Sequence, residues 1–257
     1  MLASGTAGLC HPGLFCHPDG VDILDEVKLM MRFREIYEIW RQDNSLNLAL
    51  KESYEMLEKT HVMFQESVNL LRDVATVRMS LNIYEEDKGI NAYQIQVRKR
   101  ILRHLAIAGT VDLVPGLVLT GIVIDIERIG DYTKNISELA TTYPGKLHCG
   151  RFEQRVGNIE QIVEKLFGEV RSILESSNRQ AALRLIDECN RVRNDADQII
   201  AKLIMINEKS MGRSQTAAVA LYVRYLKRVG AHLLNILSSV VSPFERIGYR
   251  YRNGPNE

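Results

Sequence analysis

The sequence predicts an all-α fold: two tandem three-helix bundle repeats with an extra helix in front. Three observations predict it. Long stretches rich in Leu, Ile, Glu, Lys, Arg and Ala favour helix, and Gly and Pro are sparse, at 17 and 6 of 257 residues. Apolar residues recur at intervals of three and four along most of the chain. The chain also resembles itself at an interval of about 100 residues.

Residues 117–138, LVLTGIVIDIERIGDYTKNISE, are the stretch around which the rest is arranged. Leu119, Ile122, Ile126, Ile129, Thr133 and Ile136 share one helix face. Beside them runs a second line: Leu117, Thr120, Ile124, Glu127, Asp131, Asn135 and Glu138. It starts apolar and turns acidic. Glu127 and Asp131 are four apart, so their carboxylates stack on consecutive turns. Like charges at that spacing repel by about 0.2–0.5 kcal/mol on an isolated helix. A cation is therefore expected against them, whether lysine, arginine or metal.

Composition narrows the classes. Hydrophobic residues make up 46% and charged residues 25%, and the formal charge is +1. That is an ordinary globular balance, with no global field aimed at nucleic acid or a membrane. The most apolar segment, residues 113–124, is interrupted by Pro115-Gly116 and ends at Asp125. It falls short of the roughly 20 residues a spanning helix needs. The first apolar residues carry no basic flank of the signal-peptide kind, so a cytoplasmic location is expected. Cys10, Cys16, Cys149 and Cys189 are too scattered for a disulfide scaffold.

The elements follow in order. Residues 1–43 read as a Gly- and Pro-rich leader followed by the extra helix. Cys10-His11 and Cys16-His17 are a legal zinc donor set, but adjacent Cys-His pairs aim poorly at one ion, so an inert leader is expected. Met30 and Met31 could serve as alternative starts. Asp22 caps a helix expected to run to Trp40, with Ile23, Leu24, Val27, Met31, Ile36 and Ile39 as its apolar side.

Residues 44–145 form the first repeat. Its first helix, from Asp43 or Ser45 to about Arg72, carries the stripe Leu46, Leu50, Tyr54, Leu57, His61, Phe64, Val68 and Leu71. A break near residues 73–78 precedes a second helix to Ala108, containing YEEDKGIN (residues 84–91). Gly109, Thr110 and Asp112 make a turn. The third helix starts around Pro115, a residue suited to a first helical turn, and runs to Tyr143 before Pro144-Gly145.

Residues 151–243 repeat the pattern, with helices over 152–174, 180–206 and 213–241 separated by a break at 176–178 and a loop at 207–212. The first of these carries Val156, Ile159, Ile162, Val163, Leu166 and Val170. Residues 244–257 form a basic tail, expected to fray.

The repeat is visible by subtraction. A shift of 100 lays ERIGDYTKNI on KRVGAHLLNI, matching Arg128, Gly130, Asn135 and Ile136 with Arg228, Gly230, Asn235 and Ile236. A shift of 102 lays YEEDKGIN on IDECNRVR. Self-similarity of this size marks two copies of one supersecondary unit.

At these residues the chain resembles the PhoU family of phosphate-signalling proteins. The resemblance covers about residues 44–241 and rests on ERIGD with the following lysine and Asn-Ile, on EEDKGIN, and on the two three-helix repeats. It implies a helical, cytoplasmic, often dimeric regulator that restrains phosphate uptake and the phosphate regulon. Such a protein works by contact with a phosphate transporter subunit and a sensor kinase, meets the membrane through those partners, and has no catalysis or nucleic-acid binding. The resemblance further implies iron or zinc held by Asp87, Glu127 and Asp131, supported by Asn91 and Asn135. The second copy departs from the pattern. In that register Asp87 becomes Cys189, Asn91 becomes Arg193, Glu127 becomes Lys227 and Asp131 becomes Ala231. At most one metal site is expected, and Lys227 and Arg193 could supply the charge a metal gives elsewhere.

Blander readings stand beside these. Glu127 and Asp131 could be a structural ion-pair stripe with Arg128, Lys134 or Lys88. Cys189 reads as a small buried hydrophobe. Arg98, Lys99, Arg100, Arg103 and His104 could grip phosphate or an acidic partner, but a solvated helix face accounts for them. Gly121, Gly130 and Gly230 suggest close helix packing. Glu58-x-x-His61 has the spacing of a di-iron ligand pair, yet no second pair exists and His61 lies on an apolar stripe, so a satisfied core histidine is expected. Two rival functions remain open. One is a regulatory partner of a sodium- or proton-coupled phosphate transporter, docked through FREIYEIWR. The other is a carboxylate-bridged metalloenzyme.

Overall fold

The computed structural model describes residues 31–72, 82–205 and 211–249. Within the described residues it holds seven α-helices and no strand: α1 (Phe33–Gln42), α2 (Asn44–Arg72), α3 (Ile83–Ala108), α4 (Leu113–Thr142), α5 (Glu153–Ser176), α6 (Arg179–Met205) and α7 (Arg213–Val241). The helices α2, α3 and α4 pack pairwise into one bundle, and α5, α6 and α7 into a second. The bundles meet chiefly along their third helices, with α4 against α7. The short α1 lies on α2 and also reaches α4, α5 and α7. This is the predicted architecture of two triple-helix repeats with an added helix.

Local chemistry sets the boundaries. At the start of α2, Asp43 Oδ1 accepts hydrogen bonds from the Ser45 and Leu46 amides at 2.7 and 2.8 Å, satisfying donors the first turn leaves over. Asn82 does the same for Tyr84 at 3.2 Å ahead of α3. Gly109 adopts φ +73° after α3, a conformation glycine reaches without Cβ strain. Between α5 and α6, Ser177 takes the left-handed conformation, and the Ser177 and Asn178 amides close on the Leu174 and Ile173 carbonyls at 3.1 and 3.2 Å. That closure ends α5 where a break was expected.

The expected stripe of α2 is buried apart from His61 and Val68, which are half-buried. A second, unanticipated line is buried as deeply: Ala49, Ser53, Met56, Thr60, Met63 and Ser67. Because α2 packs on α1, α3 and α4 and touches α5, it is enclosed on several sides. Two of the three hydroxyls on that line turn back on the helix itself, Ser53 donating to the Ala49 carbonyl and Thr60 to the Leu57 carbonyl, both at 2.7 Å, while the Ser67 hydroxyl has no hydrogen-bond partner among the described residues. Every residue of the predicted core face of α4 is buried.

The leading helix differs from expectation. Arg32 is extended, and α1 runs from Phe33 to Gln42. Its core side is Phe33, Ile36, Tyr37 and Trp40, so of the expected apolar positions among the described residues, Met31, Ile36 and Ile39, only Ile36 is buried. Aromatic bulk decides the rotation. The Trp40 ring stands edge-on to Phe33 at 5.6 Å and to Tyr37 at 6.1 Å. Its indole Nε1 donates to the Pro115 carbonyl at 3.0 Å, tying α1 to the start of α4.

The tail also differs. Residues Phe244–Arg246 form a short 3-10 turn, and the Gly248 amide donates to Ser238 Oγ of α7 at 2.8 Å, so this part is anchored. The Cys-His leader, the helix start at Asp22, the break at 73–78, most of the 207–212 loop and residues 250–252 lie outside the described residues.

Candidate functional site

The acidic line of α4 faces the first half of α3. Lys134 lies between them. Its Nζ is 2.8 Å from Asp87 Oδ2 and 3.5 Å from Asp131 Oδ1. Arg128 closes the other end, with Nε 3.5 Å from Glu127 Oε2 and Nη1 3.4 Å from Asp131 Oδ2. The three sequence-predicted carboxylates therefore share one cluster, and Lys134 bridges two of them. The cation expected from the sequence is supplied by α4 itself. Lys88, the third candidate, instead pairs with Glu85 at 2.8 Å.

Electrostatics reflects this arrangement. Burial raises the Glu127 carboxyl above its ordinary value, and the Asp131 charge raises it further; Arg128 opposes, Asp87 adds to the rise and Lys134 opposes again. For Lys134, burial pulls the ammonium down, but its hydrogen bond to Asp87 and the charges of Asp87 and Asp131 outweigh that and hold it above the usual lysine value. Three carboxylates thus meet two cations, and a residual negative field falls on Glu127. Asn91 and Asn135 are half-buried, but among the described residues neither hydrogen-bonds the three carboxylates.

The donor set suits a hard cation, because three carboxylates from two antiparallel helices are how helical bundles build metal sites. As arranged here, no three ligating side chains among the described residues converge on one point. The Lys134 ammonium takes the place between Asp87 and Asp131, so a metal at these carboxylates requires Lys134 to turn away.

The second bundle lacks this face, though its register differs from the one the sequence suggests. A Cβ built at Gly130 meets Ile90 Cγ2 at 3.4 Å, and one at Gly230 meets Cys189 Sγ at 3.8 Å. Cys189 therefore stands in the place of Ile90, at an interval of 99 rather than 102, about one helical turn away. In that register Asp87 corresponds to Ile186 and Asn91 to Asn190. Cys189 is buried, and burial pushes its thiol up to about 12, which leaves a protonated small apolar residue, as expected. Lys227 pairs with Asp197.

The PhoU domain matches residues 54–140 and again residues 156–249. The chain belongs to the PhoU family. Each PhoU match covers most of one bundle, the first reaching from α2 to α4 and the second from α5 past the end of α7. The fold is similar to that of PhoU from Pseudomonas aeruginosa, at TM-score 0.68 and 22% identity over 77% of this chain and 95% of that one. It is also similar to the phosphate transport system regulatory protein PhoU from Streptococcus pneumoniae, at TM-score 0.63 and 13% identity over 82% and 95%. No curated protein matches the chain.

Two polar clusters between the PhoU repeats escaped sequence reasoning. In the α4–α7 seam, Asp125 Oδ1 receives His232 Nδ1 at 2.7 Å and Asn235 Nδ2 at 3.0 Å. Arg228 Nε donates to the Tyr132 hydroxyl at 3.0 Å, and the Tyr132 ring stacks on His232 at 5.7 Å. The available signal was Asp125 itself, three residues after Ile122 and four before Ile129 on the core face. At the other contact, Arg72 at the end of α2 pairs with Glu153 and with Glu160, the latter at 3.0 Å, while the Tyr222 hydroxyl donates to Glu160 at 2.6 Å. His61 is satisfied as expected, but by the other repeat. Its Nε2 is 2.7 Å from Glu164 and its ring stacks on Phe167 at 4.6 Å.

Proposed function

We propose that this chain regulates phosphate uptake and phosphate-starvation signalling by protein contact, without catalysis. The observation that carries the reading is family membership over both bundles. The Streptococcus pneumoniae relative, named as a phosphate transport system regulatory protein, supports it. The partners in this reading are a phosphate transporter subunit and a sensor kinase, and the working form is a homodimer. Iron or zinc at Asp87, Glu127 and Asp131 belongs to the same reading. A metal there would supply the positive charge that Lys134 and Arg128 only partly provide, and the carboxylates would bind it as Lys134 moves aside.

The transporter-partner alternative drew on FREIYEIWR as a docking helix. That helix turns its aromatic side onto its own bundle, with Phe33, Ile36, Tyr37 and Trp40 buried, which weakens the case for docking through it. For the carboxylate-bridged metalloenzyme alternative, the Glu58-x-x-His61 spacing offers no support, since His61 is engaged by Glu164.

Affinity capture from phosphate-replete and phosphate-starved cells tests the function, comparing wild type with Glu127→Ala/Asp131→Ala. A transporter subunit or kinase should be recovered with wild type and respond to starvation. Recovery of neither in either condition refutes the reading. Equal recovery by wild type and double variant, with equal metal content, would reduce the acidic cluster to scaffolding.

A further inference from the structure

The outer face of α3 carries a pattern that neither the carboxylate cluster nor the bundle core uses. From residue 89 to residue 111 the chain contains no Asp or Glu. Its basic residues divide into two groups. Arg100 is held by Glu52 at 2.8 Å, and His104 by Asp112 at 2.8 Å and Asp43 at 3.4 Å. Arg98, Lys99 and Arg103 are exposed and have no ion-pair partner among the described residues. The acids named as reaching this end of the bundle are thus already engaged.

Between and beyond these cations stand large aliphatic side chains that the core does not take. Ile95 is 51% exposed, Leu102 69%, Ile107 89% and Val111 77%. Positions 95, 98, 99, 102, 103 and 107 follow one another in steps of one, three and four, so they form one continuous side of α3. The two most exposed aliphatics, Ile107 and Val111, flank the Gly109 turn at the tip of the α3–α4 hairpin. The free cations begin one turn behind that tip.

We propose that this tip docks directly on an anionic lipid surface. Aliphatic side chains that project singly from a helix end, backed by unpaired Lys and Arg, suit a bilayer interface. The apolar tip enters the headgroup boundary while the cations meet lipid phosphates. An acidic protein partner is the weaker match, because the two most exposed aliphatics, Ile107 and Val111, stand at the hairpin tip ahead of the cations, an order that a headgroup boundary over phosphates meets directly. The chain's formal charge of only +1 makes the attraction local to this face. In a transport regulator such a tip orients the first bundle at the membrane independently of any protein partner.

Flotation of the full chain with vesicles tests the proposal, using phosphatidylglycerol–phosphatidylcholine (1:1) against phosphatidylcholine alone. Wild type should float with the anionic vesicles only and be released by 0.5 M salt. Replacing Arg98, Lys99 and Arg103 by Gln should weaken binding about fivefold per cation, on the order of a hundredfold together. Ile107→Ser with Val111→Ser should weaken binding while leaving its salt dependence in place. All five positions are solvent-exposed, and an unchanged far-UV circular dichroism spectrum verifies the fold. The proposal is overturned by no binding to anionic vesicles, by equal binding of the triple variant, or by a triple variant that changes oligomeric mass, which would assign the face to a second copy of the chain.

Discussion

Glu127 sits where burial and two neighbouring carboxylates act in one direction and two cations in the other. The balance raises its folded-state value above that of the unfolded chain. The stability this group contributes is then fully present below its unfolded value and is lost as pH rises through its folded value. At neutral pH the ionised carboxylate costs stability. Glu127→Gln should therefore raise Tm by about 1–3 °C at pH 7 in chelated buffer, with the gain shrinking as pH falls toward 4. Added iron or zinc provides the contrast: a metal held by the cluster should raise the Tm of wild type and not of the variant. Thermal melts across pH, with and without metal, check both statements. Glu127 and Asp131 could be found in the sequence because acids four apart beside an apolar stripe stand out, whereas Asp87 came only from the resemblance of EEDKGIN to the PhoU pattern. Lys134 as the bridging cation was only one of several candidates, since reaching Asp87 depends on where α3 lies. Asp125–His232 and Arg72–Glu160 join residues far apart in sequence, and spacing carries no trace of such pairs.

Among the helices, the three glycines expected to mark close packing divide. Gly130 and Gly230 do face neighbours at van der Waals distance, whereas a Cβ at Gly121 meets nothing within 4 Å among the described residues. Gly121 therefore carries the helical cost of glycine with no packing return. Gly121→Ala should stabilise the chain by about 1 kcal/mol, and Gly130→Ala by no more than that, because Ile90 and Thr60 must accept the new methyl. Urea unfolding checks the pair; a destabilised Gly121→Ala would mean that the face is occupied in solution. Element positions were largely legible: α5, α6 and α7 begin and end within about two residues of expectation where described. α1 was not, because the aliphatic positions Met31 and Ile39 competed with the rings of Phe33, Tyr37 and Trp40, and burial favoured the rings. The second buried line of α2 was hidden by its Ser and Thr, which read as surface until the Ser53 and Thr60 hydroxyls are seen bonded to their own helix.

For the whole molecule, α4 and α7 form the seam, and α1 ties both bundles together. The two repeats should unfold as one unit. Trp40, the chain's single tryptophan, is fully buried against Pro115 and reports on the first bundle, whereas far-UV circular dichroism reports on all helices. Their urea transitions should coincide; a fluorescence transition at lower urea would reveal bundles that come apart separately. The duplication was legible from Arg128, Gly130 and Asn135 with their counterparts, but its register across α3 and α6 was not. Only the neighbours of Gly130 and Gly230 show that Cys189 answers to Ile90. The seam also bears on ancestry. A lone three-helix ancestor would have left the α4 side that now meets α7 uncovered, and an identical molecule could have shielded it. In that account gene fusion made permanent an embrace that once depended on concentration.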